Sequence, residues 1–235
     1  MDPEITPISI LQPFRISSIR ARVSYKTEIT PWNNGDKDGK IFLINLIDKS
    51  GEITALVFND LCMKFYRQIQ AGCVYVFSNV EARPAHDKYK VLGNSLQILF
   101  LDNTVIQLDN TVLQLQIPQT KYNFVDLSTV SKIRDGEPVD VIGICTNAPD
   151  YEHRRNHTIR EIVLLDPDYQ EVMLNLWEEG AVNFDGDVDD VIVVKGARVR
   201  EHNNEKKLNA GWYSMVQINP DIPDAIGMRK WYENQ

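Results

Sequence analysis

Hydrophobic and polar positions alternate through most of this chain with the period of a β-strand, and the same order of segments occurs twice. Ile41 to Asp48, a turn at Lys49-Ser50-Gly51, and Glu52 to Asn59 read as strand, turn, strand. Arg160 to Asp166, a turn at Pro167-Asp168-Tyr169, and Glu171 to Glu178 repeat that hairpin. Asp48 and Asp166 lie 118 residues apart, and Phe58 and Trp177 lie 119 apart. A nearly constant offset of that size is the signature of a duplicated domain, not of a short solenoid repeat.

The flanks extend the match. Ile19, Ala21, Val23 and Tyr25 alternate with polar residues upstream of the first hairpin, as Val139, Val141, Gly143 and Cys145 do upstream of the second. Downstream, Asn59 or Asp60 can cap a short helix carrying Leu61, Phe65 and Ile69, with Gly72 placed to stop it; Glu178 to Phe184 is its counterpart. Two strands follow each helix: Cys73 to Ala82 and Tyr89 to Phe100, then Val191 to Arg200 and Lys207 to Ile218. This order predicts an all-β protein of two tandem five-stranded OB-fold barrels, each with a short helix between strands 3 and 4. The domains fall at 1–105 and 119–235, with a connector at 106–118. A tandem heptad, Leu101 to Gln107 followed by Leu108 to Gln114, enters that connector without Gly or Pro, so it need not be a limp tether; one copy is expected to prolong the last strand of the first barrel and leave the other as connector. The loops flanking each expected ligand groove are Thr30 to Lys40 and Arg83 to Lys88, then Ala148 to Ile159 and Glu201 to Lys206.

Composition narrows the function. With 43% apolar and 25% charged residues the chain is that of a folded protein. Its longest apolar runs are too short to span a bilayer, so no membrane partner is expected. Cys62, Cys73 and Cys145 have no paired spacing for a disulfide framework or a zinc knuckle. His153 and His157 have the i, i+4 spacing of a helical metal pair but sit in a loop. Asp185, Asp187 and Asp189 open like a calcium loop, yet Asp190 and Gly196 stand where it needs Gly and Glu. No phosphate loop, dinucleotide fingerprint or nucleophile elbow is present, so neither catalysis nor a cofactor is expected.

The net charge of −8 is unevenly placed: residues 1–118 hold 12 basic and 12 acidic side chains, and residues 119–235 hold 13 and 21. An acidic total does not veto a nucleic-acid ligand, because a local basic groove and aromatic stacking both act independently of it. Phe58 and Trp177 occupy the same point of the repeat, where pattern alone leaves a core ring and a base-stacking ring both open. Trp32 stands in a polar run and reads as an exposed loop tryptophan. Arg83, Lys88 and Lys90 flank one groove loop, and Arg198, Arg200, Lys206 and Lys207 its counterpart, as phosphate-tracking cations would.

Asp48-Lys49-Ser50-Gly51-Glu52-Ile53, Val141-Ile142-Gly143-Ile144-Cys145, Lys195-Gly196-Ala197-Arg198-Val199 and Asn219-Pro220-Asp221-Ile222-Pro223-Asp224-Ala225 resemble the large subunit of replication protein A. The resemblance covers nearly the whole chain and falls on that subunit's two central DNA-binding domains. It implies single-stranded-DNA binding in replication, repair and recombination, in the nucleus. Its implied partners are single-stranded DNA, the smaller subunits through regions outside this chain, and DNA-repair proteins. Residue by residue it implies stacking by Phe58 and Tyr89 with Arg83 beside them, and by Trp177 with Arg198 as groove arginine. The second stacking aromatic of that domain falls on His202, and two basic positions of the family fall on Thr30 and Thr54. Without the family's outer domains, the chain reads as an excised fragment or a shortened homologue. The competing reading is an OB module whose grooves receive peptides of DNA-repair partners.

Overall fold

The computed structural model describes residues 3–33, 35–86, 90–111 and 115–235. It divides into two units, Met1–Lys121 and Tyr122–Gln235. In the first, β1 (Ile16–Lys26), β2 (Thr30–Asn33), β3 (Asp38–Ile47), β4 (Glu52–Phe58), α1 (Asp60–Phe65), β5 (Val74–Pro84) and β6 (Leu96–Leu108) follow in order. Strand β1 pairs with both β3 and β5, and a parallel β4–β6 pair closes the ring, so five strands form a closed barrel with β2 outside it. Alternate residues fill it: Ile19, Ala21 and Val23 from β1, Phe42, Ile44 and Leu46 from β3, and Ile53, Ala55 and Val57 from β4. Helix α1 adds Cys62 and Phe65 to the same core.

The second unit repeats the plan with β7 (Pro138–Asn147), β8 (Glu152–Arg154), β9 (His157–Leu165), β10 (Glu171–Trp177), α2 (Glu179–Val182), β11 (Val191–His202) and β12 (Glu205–Ala210). Strand β7 pairs with β9 and β11, and a parallel β10–β12 pair closes this barrel. Two further elements, β13 (Met215–Ile218) and α3 (Pro223–Glu233), complete it. Both units are OB folds, as the pattern predicts.

The structure departs from the sequence reading in several places. Each first groove loop is a β-ribbon: β2 pairs back onto β3, and β8 onto β9. Asn59 does not cap α1 through its side chain; it and Glu178 take left-handed φ values of 53° and 52°. In both, the backbone N–H donates to the ribbon strand, to Lys40 O and Thr158 O, each at 2.8 Å. The last strand of the first barrel starts at Leu96, because the Asn94 amide bonds to Glu52 O and to its own chain at Leu96 N, both at 2.9 Å.

That strand runs on through Leu108, so one heptad copy prolongs it as expected, whereas its counterpart in the second barrel, expected unbroken from Lys207 to Ile218, breaks at Gly211–Ser214. The two share one bend. Thr104 Oγ1 donates to Asn79 O at 2.9 Å and Ser214 Oγ to Gly196 O at 3.0 Å, and both carbonyls belong to residues at positive φ. Finally, α3 has no counterpart in the expected elements. Pro223 opens it, and Ala225 and Met228 pack on Ile144, Val191 and Val193.

Described parts of the expected connector 106–118 belong to the first barrel. Residues 106–108 are strand, and Asp109 is buried and paired with Arg20 at 2.9 Å. Arg22, expected on the solvent face of β1, is buried and donates to Gly72 O, Ile117 O and Pro118 O. These bonds hold Asp109, Ile117 and Pro118 against the first barrel.

Candidate nucleic-acid interface

Strand parity decides what the sequence pattern left open. In β4 the core takes Ile53, Ala55 and Val57, so Thr54, Leu56 and Phe58 lie on the outer face. In β10 the core takes Leu174 and Leu176, with Val172 packed against it, which leaves Met173, Asn175 and Trp177 outside. Phe58 and Trp177 are therefore half-buried rings on the outer face of the strand 2 to 3 sheet, the usual ligand face of an OB barrel. Neither belongs to a core.

A second ring meets each of them edge-on. Trp32 in β2 contacts Phe58 with centroids 6.2 Å apart and planes at 85°; His157 in β9 contacts Trp177 at 5.7 Å and 84°. The donors of these edges differ in position. Trp32 pairs with Gly39 across its ribbon, and the residue matching Gly39 in the second ribbon is His157 itself, whose partner is Arg154. A Cβ on Gly39 would lie 2.1 Å from Asn59 Oδ1 and 2.8 Å from Trp32 Nε1, so the missing side chain is what lets the indole lie there. Trp32 is half-buried rather than fully exposed. His157 Nδ1 pairs with Glu178 Oε1 at 2.7 Å, and this hydrogen bond is the main cause holding the Glu178 carboxyl below its ordinary range.

The floors beneath the rings also differ. Leu56 pairs in parallel with Leu99 under Phe58, where the second barrel pairs Asn175 with Asn209. Trp177 Nε1 donates to Asn209 Oδ1 at 2.7 Å, and Asn175 Nδ2 approaches the same oxygen at 3.5 Å. Beyond the facing Arg20 and Asp109 atoms, the buried side-chain polar atoms without a hydrogen-bond partner among the described residues are Trp32 Nε1 and Asn175 Oδ1. One lies in each groove, and each costs about 1–3 kcal/mol. Such groups cluster where a fold has given up stability for function.

The basic residues divide into two kinds. Arg83 is exposed at the end of β5 and pairs with Glu81 at 2.8 Å; Arg200 is exposed on β11 and pairs with Asp135 at 3.3 Å. Strand register makes these two counterparts, since Glu81 and Arg198 hold equivalent places opposite Ile16 and Pro138. Arg198, expected as an open groove arginine, is instead buried to 3% exposure. It donates to Gly136 O at 2.9 Å and lies 5.0 Å over the Tyr213 ring, and burial lowers its pKa. Lys206 Nζ is likewise committed to Ile133 O at 2.7 Å. His202 is exposed at the end of β11. Lys88 and Tyr89, predicted for the groove of the first barrel, lie outside the described residues. Thr54 is buried with its hydroxyl on Asn45 Oδ1 at 3.2 Å.

The sequence reading missed Asn175, Asn209 and Tyr213. Their signal was weak: polar residues on alternating strands look like any solvated face. Among the described residues no cluster of His, Cys, Asp and Glu could hold a metal, and the cysteines are free. Among the described residues no helix is long and apolar enough to cross a membrane.

Comparison with known proteins places the fold. The family described as Replication protein A OB domain matches residues 127–219, and a domain of unknown function, DUF223, matches residues 31–133. The replication protein A 70 kDa DNA-binding subunit of Drosophila melanogaster is 40% identical over 97% of this chain and 39% of its own length. The chain belongs to the replication protein A large-subunit family. The Saccharomyces cerevisiae member, replication factor A protein 1, is 33% identical over 98% of this chain and 38% of its own. A solved replication protein A heterotrimer bound to single-stranded DNA matches with a TM-score of 0.71 and 32% identity, over 98% of this chain and 55% of that one. The chain thus spans about two fifths of the length of these curated relatives.

Proposed function

We propose that the chain binds single-stranded DNA with little sequence preference and protects it during replication, repair and recombination, without catalysing a reaction. The observation that carries this is the pair of outward rings, Phe58 and Trp177, at the same place on the ligand faces of two OB barrels. Every base offers a π-face, so stacking on such rings tolerates any sequence. Phe58, Tyr89 and Trp32 serve the first groove with Arg83 and Lys88; Trp177 and His202 serve the second with Arg200. Arg198 shapes that second groove from beneath. The family relation supports assembly with the smaller subunits through regions outside this chain, contacts with DNA-repair proteins, and a nuclear location.

The test is a titration of labelled single-stranded DNA of increasing length against the intact chain. Two grooves on one strand should give a step in affinity of ~10² or more once an oligonucleotide enters both. Nucleotides should be recovered intact. Failure to retain any oligonucleotide, with peptides of repair proteins retained instead, would replace this reading by that of a peptide-binding OB module.

A further inference from the structure

We infer that Asn209 is a positioning residue for Trp177, and that the Asn175–Asn209 pair is kept beneath the indole at the expense of fold stability. The inference deepens the reading of Trp177 as a base-stacking ring and rests on it.

Three observations converge on this pair. Trp177 sits at the last position of β10, half-buried on its outer face. Its Nε1 donates to Asn209 Oδ1 at 2.7 Å, which fixes the direction of the indole plane. Asn209 belongs to β12, inside the closed barrel, so its own place is set by pairing with Arg198 on one side and Asn175 on the other.

The second observation is the poor fit of the pair as a purely structural contact. Asn175 is 92% buried, yet its amide reaches Asn209 Oδ1 only at 3.5 Å and its own Oδ1 has no partner. A buried amide left half-satisfied favours unfolding. The third observation shows that the fold does not require it: at the same register the first barrel places Leu56 opposite Leu99. There Phe58 has no N–H to anchor, and the edge-on contact is common to both grooves, from Trp32 in the first and His157 in the second.

A ring already held in its stacking orientation loses less freedom when a base lands on it, and affinity rises accordingly. The amide pair therefore does for Trp177 what an apolar floor cannot. It also predicts opposite signs for stability and binding, which an ordinary packing contact does not.

The experiment uses the intact chain and a labelled oligothymidylate. Asn209→Leu should weaken binding about three- to tenfold, the worth of one hydrogen bond. With Trp177→Phe in place, which keeps a stacking ring but has no indole N–H, Asn209→Leu should make no further difference. Asn209→Asp, which keeps the acceptor, should restore most of the affinity. The double change Asn175→Leu with Asn209→Leu should weaken binding while slowing hydrogen exchange at β10 and β12 amides about fivefold or more. Equal losses from Asn209→Leu with Trp or Phe at position 177 would overturn the inference. So would a double substitution that weakens binding and speeds exchange together. If Trp177→Ala binds as tightly as the unsubstituted chain, the stacking reading itself falls and takes the positioning role with it.

Discussion

The two grooves solve one problem with different parts. In the first, an apolar floor of Leu56 and Leu99 carries Phe58, and Trp32 supplies the edge-on neighbour through the gap left by Gly39. In the second, a polar floor of Asn175 and Asn209 carries Trp177 by a hydrogen bond, and His157 at the place of Gly39 supplies the edge. What the duplication preserves is the address of the ring, at the end of the third barrel strand. How the ring is steadied has been free to diverge, because several contacts can restrain one aromatic plane.

Substitutions can break this comparison at successive levels. Removing the rings should cost most: Trp177→Ala and Phe58→Ala are each expected to lose about 1–3 kcal/mol of single-stranded-DNA binding, the tryptophan toward the upper end because its larger face is also anchored. A fluorescence titration against one oligonucleotide ranks them, and equal losses would mean that the anchoring of Trp177 adds nothing.

Arg198→Ala should cost about 2 kcal/mol of stability, read from a urea midpoint, because it strips Gly136 O of its donor and Tyr213 of its stacked cation. Its counterpart in the first barrel, Glu81, has no such buried role, and its loss should stay within about 0.5 kcal/mol. Gly39→Ala should push Trp32 off Phe58 and lower affinity by about 1 kcal/mol, since edge-to-face pairs contribute on that order. A red shift of tryptophan emission would report the displaced indole; unchanged emission and affinity would show that Trp32 does not steady the groove.

The smallest effects belong to the exposed cations. Arg83→Ala and Arg200→Ala should leave stability unchanged, since surface pairs such as Arg83–Glu81 contribute little. Each should flatten the log-log salt dependence of binding by about 0.7 if it meets one phosphate. A slope indifferent to both would remove them from the interface.

Much of the fold was legible because OB strands carry their burial pattern locally. Val139, Val141 and Cys145 alternate in the sequence and are buried in the structure. The site was legible in position but not in detail. Arg198 looks in sequence like Arg83 and Arg200, yet only β11 register and the Tyr213 turn put it underneath the surface. Helix α3 was missed because Trp231 and Tyr232 at its end do not stand out from a polar tail until the sheet they cover is known. The tandem heptad shows the limit best. Thr104 in the first copy is buried and donates to Asn79 O; its equivalent in the second, Thr111, is exposed and turns back to Asp109 Oδ1 at 2.9 Å through its backbone N–H.

By itself, then, the sequence determined the duplication, the order of strands and the address of each outward ring. These follow from short-range periodicity and from an offset that any chain of this length displays openly. Only the tertiary structure decided which face each ring meets, which arginine is buried and which segment is a strap rather than a tether. Those outcomes depend on closing a barrel. A one-residue shift in strand register turns an outward side chain inward, and the burial of a charge is set by neighbours far away in sequence.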